Sequence, residues 1–187
     1  MRWHNPNHGF ISPMRFIPLA ESNGLIKILG AWALSSACHQ ARQWQKAGLK
    51  DFYISVNVSP RQFVQEDFLE MINRVLEESG LLPENLMLEI TEGVLMDNPQ
   101  RSKEILAQLH EMGVKIAIDD FGTGYSSLAY LKKFSLSVLK IDKSFVDDMI
   151  NSTEDMAIVG AILRLAEGLN LLVVAEGVEK DAQLGFL

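Results

Sequence analysis

The chain has 187 residues, 48% hydrophobic and 22% charged, with 17 basic and 24 acidic side chains and a formal net charge of −7. That composition is ordinary for one folded domain with a sizeable core; its acidity argues against DNA as a partner, though metal ions can offset the charge of a phosphorylated small ligand. The only cysteine, Cys38, excludes an internal disulfide, and with no membrane-length apolar run and no signal-peptide pattern the expected location is cytoplasmic, in a parent that is free or membrane-tethered.

Residues 1–20 hold Pro6, Pro13 and Pro18. His4 and His8 have the i, i+4 spacing of a helical metal pair, but Pro6 and Gly9 argue against a helix there. Residues 25–47 carry an apolar stripe of Leu25, Ile28, Leu29 and Trp32, then Leu34, Cys38, Ala41 and Trp44, and stop at Gly48. Cys38 reads there as an inert core thiol, and His39 and His110 as ordinary helix side chains. The first strand candidate is Phe52–Val58, followed by a stripe of Leu69, Ile72, Val75 and Leu76 that Gly80 and Pro83 end. Leu86–Ile90 is the next strand. Asn98 and Pro99 then predict a cap and the first residue of a helix through Ile105, Leu106, Leu109 and Met112, ending at Gly113. Strands Val114–Asp119 and Ser137–Ile141 follow. Ser152 or Thr153, with Glu154 and Asp155 in the first turn, opens a helix through Ile158, Ile162 and Leu165, and strand Leu172–Ala175 comes last. Nearly continuous apolar strands suit a sheet covered on both faces. Their alternation with helices predicts a parallel α/β fold, either an open doubly wound sheet or a closed barrel.

Polar residues cluster where these strands end. Asn57 closes the first; Glu89 sits in LEITE; Asp119 and Asp120 end the third; Lys140 and Asp142 end the fourth; Glu176 and Glu179 follow the fifth. In parallel α/β folds the carboxyl ends of strands converge on one face, where active sites are built. So many acids repel one another unless cations compensate, and an all-oxygen set favours magnesium, manganese or calcium over zinc. Two hard cations form a clamp for in-line displacement at phosphorus by an activated water, with Lys140 placed to hold that water or offset charge on the phosphate. Plainer structural readings exist: Glu179 or Asp120 as a helix cap, Asn57 as turn chemistry before Ser59 and Pro60, Lys140 as a solvated side chain. Glu89, inside an apolar strand, needs a partner on any reading. FGTGYSS has glycines without the spacing of a nucleotide-binding fingerprint, and is expected to be a mobile or tightly turned loop.

RWHNPNHG, ISPMRFIPLAE, NVSPRQF, LEITEGVLMD, IAIDDFGTGYSSLAYLKKFSLSVLKIDKSFV and VVAEGVE together resemble EAL domains, the cyclic di-GMP phosphodiesterases, along residues 1–187. The resemblance implies a modified TIM-like (βα)8 barrel, a fold that typically takes about 250 residues. It implies an incomplete one here: the signature glutamate expected before Arg2, the first strand, most of the second and the eighth would lie outside the sequence. It further implies hydrolysis of cyclic di-GMP to linear pGpG by two magnesium or manganese ions, with calcium inhibitory. Asn57, Glu89, Asp119, Asp120 and Glu176 are the implied metal ligands; Lys140 and Glu176 are the implied catalytic pair. Arg2 and Asp142 would bind substrate. Glu92 would anchor the DFGTG loop, through which a homodimer is expected, and Glu179 would support the site. Sensory or GGDEF domains are expected in the parent, with roles in biofilm and motility regulation. The alternatives are a non-catalytic cyclic di-GMP receptor, or a fragment inactive through truncation.

Overall fold

Asn5 makes the first turn: its Oδ1 accepts the backbone N–H groups of Asn7 and His8, at 2.8 and 3.1 Å, between antiparallel strands β1 (Trp3–Asn5) and β2 (Gly9–Ile11). His4 and His8 thus sit on a hairpin, as Pro6 and Gly9 predict, and not on one helical face. The structure is a computed structural model that describes residues 1–124 and 128–187, in two units, Met1–Leu86 and Met87–Leu187.

In the first unit the hairpin leads to α1 (Pro13–Ser22), α2 (Ile26–Lys46), β3 (Ile54–Asn57), α3 (Pro60–Phe63) and α4 (Phe68–Ser79). The long α2 packs against α1, β3, α3 and α4. Its predicted stripe is half right. Leu34, Cys38 and Ala41 are buried, but the N-terminal half buries Ile26 and Gly30, leaving Ile28 69% and Trp32 60% exposed. The reason is local: Gly30 lets the buried Gln62 side chain of α3 come so close that a Cβ there would lie 1.9 Å from Gln62 Nε2. Gln62 closes a capping box with Ser59, accepting its backbone N–H and donating its own to the serine hydroxyl. On α4 Ile72, Val75 and Leu76 are buried as expected, with Phe68 and Met71 in addition and Leu69 only half-buried, and Gly80 caps the helix in the left-handed region at φ 68°.

The second unit is built on β4 (Leu86–Thr91), followed by α5 (Glu92–Asp97) and α6 (Pro99–Glu111); β5 (Lys115–Phe121); α7 (Leu128–Leu131); β6 (Val138–Ile141), α8 (Lys143–Asp148) and α9 (Thr153–Gly168); and β7 (Leu172–Ala175) with α10 (Asp181–Phe186). Strands β4, β5, β6 and β7 pair in that order, all parallel. Asn98 and Ser152 cap α6 and α9 as predicted, accepting from the N–H groups of Arg101 and Asp155. Strand β6 is buried at every position, and β4 and β5 nearly so, because helices α5, α6 and α9 pack on them. Strand β7 departs from the expected two-sided cover: Leu172 and Val174 are exposed. Along α9 the buried residues are Val159, Ile162 and Ala166, while Ile158 faces out. Strand β5 runs two residues past the predicted Asp119, through Phe121, and its pairing with β6 shifts between Ile118 and Phe121.

Candidate active site

That register shift decides the geometry of the site. Side chains of a regular strand alternate between faces, so Asp119 and Asp120 would point apart. Here the shift and a left-handed Asp120 backbone, φ 53°, form a bulge, a device that re-aims side chains. Asp is among the few residues other than glycine that adopt this conformation readily. Asp119 is buried and Asp120 half-buried, with the Asp120 N–H donated to Asp119 Oδ1 at 3.1 Å. No helix starts at Asp120, so its reading as a helix cap is overturned.

Lys140 is the centre of the cluster. Its Nζ lies 2.9 Å from Glu89 Oε2 of β4, 2.9 Å from Asp119 Oδ1 of β5 and 2.7 Å from Glu176 Oε1, just beyond β7. It is only 8% exposed, which overturns its reading as a solvated side chain. Burial pulls the lysine pKa down, but the hydrogen bonds it donates to Glu176, Asp119 and Glu89 outweigh that and hold the ammonium above its ordinary value. Glu89, the charge inside an apolar strand, thus has its partner 51 residues away.

The electrostatics favour added positive charge. Burial, then Asp119, Asp142 and Glu176 in turn, raise the Asp120 pKa, and Lys140 only partly offsets them. One buried ammonium stands against this group of carboxylates. As placed, the acids gather around Lys140, and among the described residues no three His, Cys, Asp or Glu side chains already stand together as a metal-binding group. The donor set itself, all carboxylate oxygen with an acid left undercompensated, fits a hard divalent cation.

The remaining candidates separate. Asp142 caps α8, accepting from the Ser144 hydroxyl and, at 2.9 Å, the Ser144 N–H; these bonds hold its carboxyl below the usual range. Glu92 is buried at the start of α5, and its Oε2 accepts the Gly122 N–H at 3.0 Å. Gly122 (φ 97°) and Gly124 let the DFGTG segment fold against that carboxylate: a Cβ on Gly124 would stand 3.3 Å from Glu92 Oε1. The tight-turn reading of FGTGYSS therefore holds for its first half, where Thr123 bonds back to the Asp120 carbonyl; residues 125–127 lie outside the described residues. Glu179 is neither in the cluster nor a helix cap: it pairs with Lys143 at 3.4 Å, well exposed. Asn57 and Arg2 belong to the first unit. Asn57 ends β3 and is exposed; Arg2 borders a cavity of about 350 Å³ with Trp3, Phe16, Leu29 and Trp32. Sequence reasoning missed Gln183, 1% exposed and bonded on both sides of its amide. The signal was a glutamine three residues after Lys180, where a helix could begin.

The EAL domain family profile matches residues 1–187. The chain is 48% identical over 187 residues to the bifunctional diguanylate cyclase/cyclic di-GMP phosphodiesterase MucR of Pseudomonas aeruginosa, covering 100% of the chain and 27% of that protein. It is 44% identical over 187 residues to the cyclic di-GMP phosphodiesterase NbdA of the same organism, covering 100% of the chain and 24% of NbdA. The chain thus spans about a quarter of the length of these relatives. Among solved structures, the PaMucR phosphodiesterase in complex with c-di-GMP superposes with a TM-score of 0.97 at 48% identity, covering 100% of this chain and 75% of that one. The fold is the α/β, TIM-like barrel architecture of those neighbours, with no pairing from β7 back to β4 among the described residues.

Proposed function

The chain belongs to the EAL domain family, and from that premise we propose that it hydrolyses one phosphodiester bond of cyclic di-GMP to give linear pGpG. The observation that supports this most is the convergence of Glu89, Asp119 and Glu176, from separate strands, on the buried Lys140 beside an undercompensated Asp120.

Glu89, Asp119, Asp120 and Glu176 would hold two magnesium or manganese ions. Bound there, the ions would supply charge to offset the phosphate and lower the pKa of a water. Lys140 donates to the attacking oxygen or to a non-bridging phosphate oxygen, fixing it on the line of attack. Glu176, half-exposed and 2.7 Å from the ammonium, accepts the proton as the water oxygen bonds to phosphorus. One ring P–O bond breaks, its oxygen takes a proton, and pGpG leaves. Asp142 lines the site, acting also through its cap of α8. Glu179 supports the segment after β7. Glu92 ties the DFGTG segment to α5, and dimerisation through that segment belongs to the same proposal. Calcium, a hard cation that the same acids would also take, would not support turnover.

Chromatography of cyclic di-GMP incubated with the chain and magnesium or manganese tests the proposal. Appearance of pGpG, lost with Glu176→Gln or chelator, is the expected result. Binding of cyclic di-GMP with no product from folded protein overturns it and makes the domain a receptor.

A further inference from the structure

The mechanism asks Glu176 to point at Lys140, yet little packs against its side chain, which is 39% exposed. Its aim therefore depends on the backbone. On the upstream side the sheet fixes that backbone: Ala175 is paired with Ile141, and the Glu176 N–H is donated to the Ile141 carbonyl at 3.1 Å. Downstream the chain leaves the ladder at Gly177, φ 73°, and no strand holds residues 177–180.

We infer that Gln183 is a positioning residue for Glu176, tying the segment that leaves β7 to helix α8; this rests on the proposed hydrolysis. Its Oε1 accepts the backbone N–H groups of Glu179 and Lys180, each at 2.8 Å, and its Nε2 donates to the Val146 carbonyl of α8 at 2.8 Å. With the side chain 1% exposed, water cannot replace these bonds without opening the fold. A side-chain amide serves both ends at once, accepting twice at its oxygen and donating from the nitrogen of the same planar group. Lys143, also of α8, adds a second hold. A Cβ on Gly177 would stand 2.5 Å from Lys143 Cγ, and the lysine Nζ reaches Glu179 at 3.4 Å. That pair is solvent-exposed and weak, so the buried amide dominates. Helix α8 in turn begins at the Asp142 cap, two residues beyond Lys140. Gln183 thereby references the Glu176 segment to the strand–helix unit that carries the lysine it must meet.

A purely structural role, as the cap partner of α10, predicts lower stability and unchanged chemistry. The discriminating comparison is steady-state pGpG formation by wild type, Gln183→Met, Gln183→Glu and Ile105→Val, the last a small cavity under α6, which packs on α5 and β5. Loss of an outer hydrogen bond that orients an active-site group typically costs about 10- to 100-fold in activity. Gln183→Met is expected to lower kcat by that factor with KM little changed, while Ile105→Val lowers the melting temperature and leaves kcat near wild type. Gln183→Glu, which still accepts both N–H groups but cannot donate to Val146 when ionised, is expected to fall between them; it carries the test if the methionine variant does not fold. Equal kcat in wild type and the glutamine variants, with wild type active, overturns the inference alone. A wild type that makes no pGpG overturns the functional reading, and the inference with it.

Discussion

At the scale of single residues, two buried groups are the most exposed to test. Lys140 balances Glu89 and Asp119, and removing one member of a buried ion cluster typically costs about 3–5 kcal/mol. Lys140→Met should therefore melt well below wild type in chelator, with the gap narrowing when magnesium or manganese is added; an unchanged melt would mean that the ammonium does not hold the cluster. The pH dependence has a definite sign. The folded lysine pKa is raised above its ordinary value of 10.5, so the stabilisation is complete below 10.5 and is lost only as pH climbs through the higher folded value. The stability gap between wild type and Lys140→Met should then stay flat from neutrality to about pH 10. Cys38 offers a simpler case. Burial pushes its thiol up to about 11, so the native protein should leave an aromatic disulfide reagent unreacted at pH 8 and release one equivalent on denaturation. Rapid native labelling would contradict the packing of α2. The core thiol was legible from its apolar neighbours; the burial of Lys140 was not, because its partners come from strands distant in sequence.

At the scale of elements, periodicity gave the helices but not always the face they bury. Helix α2 is apolar on more than one side, so 3.6-residue spacing offers two stripes and cannot choose. The choice falls to Gly30, where Gln62 packs so closely that no Cβ fits. Gly30→Ala forces that side chain out of its capping box and should cost about 1–3 kcal/mol, the range of overpacked cores. Combining it with Gln62→Ala should cost less than the sum of the two single changes in a denaturant double-mutant cycle, since they share one space; strict additivity would show that the close approach is not felt. The bulge in β5 is the second such element. IAIDDF reads as a strand with its acids at the end, as found, but alternation would have sent Asp119 and Asp120 to opposite faces. Only the neighbour β6, with its shifted register, makes both acids serve one site. Strand β7 shows the converse: an apolar run predicted a covered strand, and its place at the end of the ladder leaves it partly open.

At the scale of the whole molecule, the acidic composition argues against general binding to nucleic acid, and the structure gathers Glu89, Asp119 and Glu176 around one lysine. Among the described residues no helix is long and apolar enough to cross a membrane. Ligand linkage gives the test that belongs here. If calcium and cyclic di-GMP bind the folded chain together without turnover, saturation at about 100 times the dissociation constant should add about 2.7 kcal/mol to its stability. A melt in which the pair raises the midpoint more than either alone is the expected outcome; no shift with either would leave the assembled site without a ligand.

By itself, the sequence determined the alternation of parallel strands and helices, the cap at Asn98 and one at Ser152 or Thr153, and the supply of Glu89, Asp119, Asp120, Lys140 and Glu176 at strand ends. These are local matters of period, punctuation and residue type. Tertiary structure alone decided that Lys140 is shared by Glu89, Asp119 and Glu176, that Glu179 stands aside with Lys143, and that Gln183 joins the segment after β7 to α8. Each of these depends on which strands become neighbours and in what register, and pairing between residues tens of positions apart leaves no mark in local spacing.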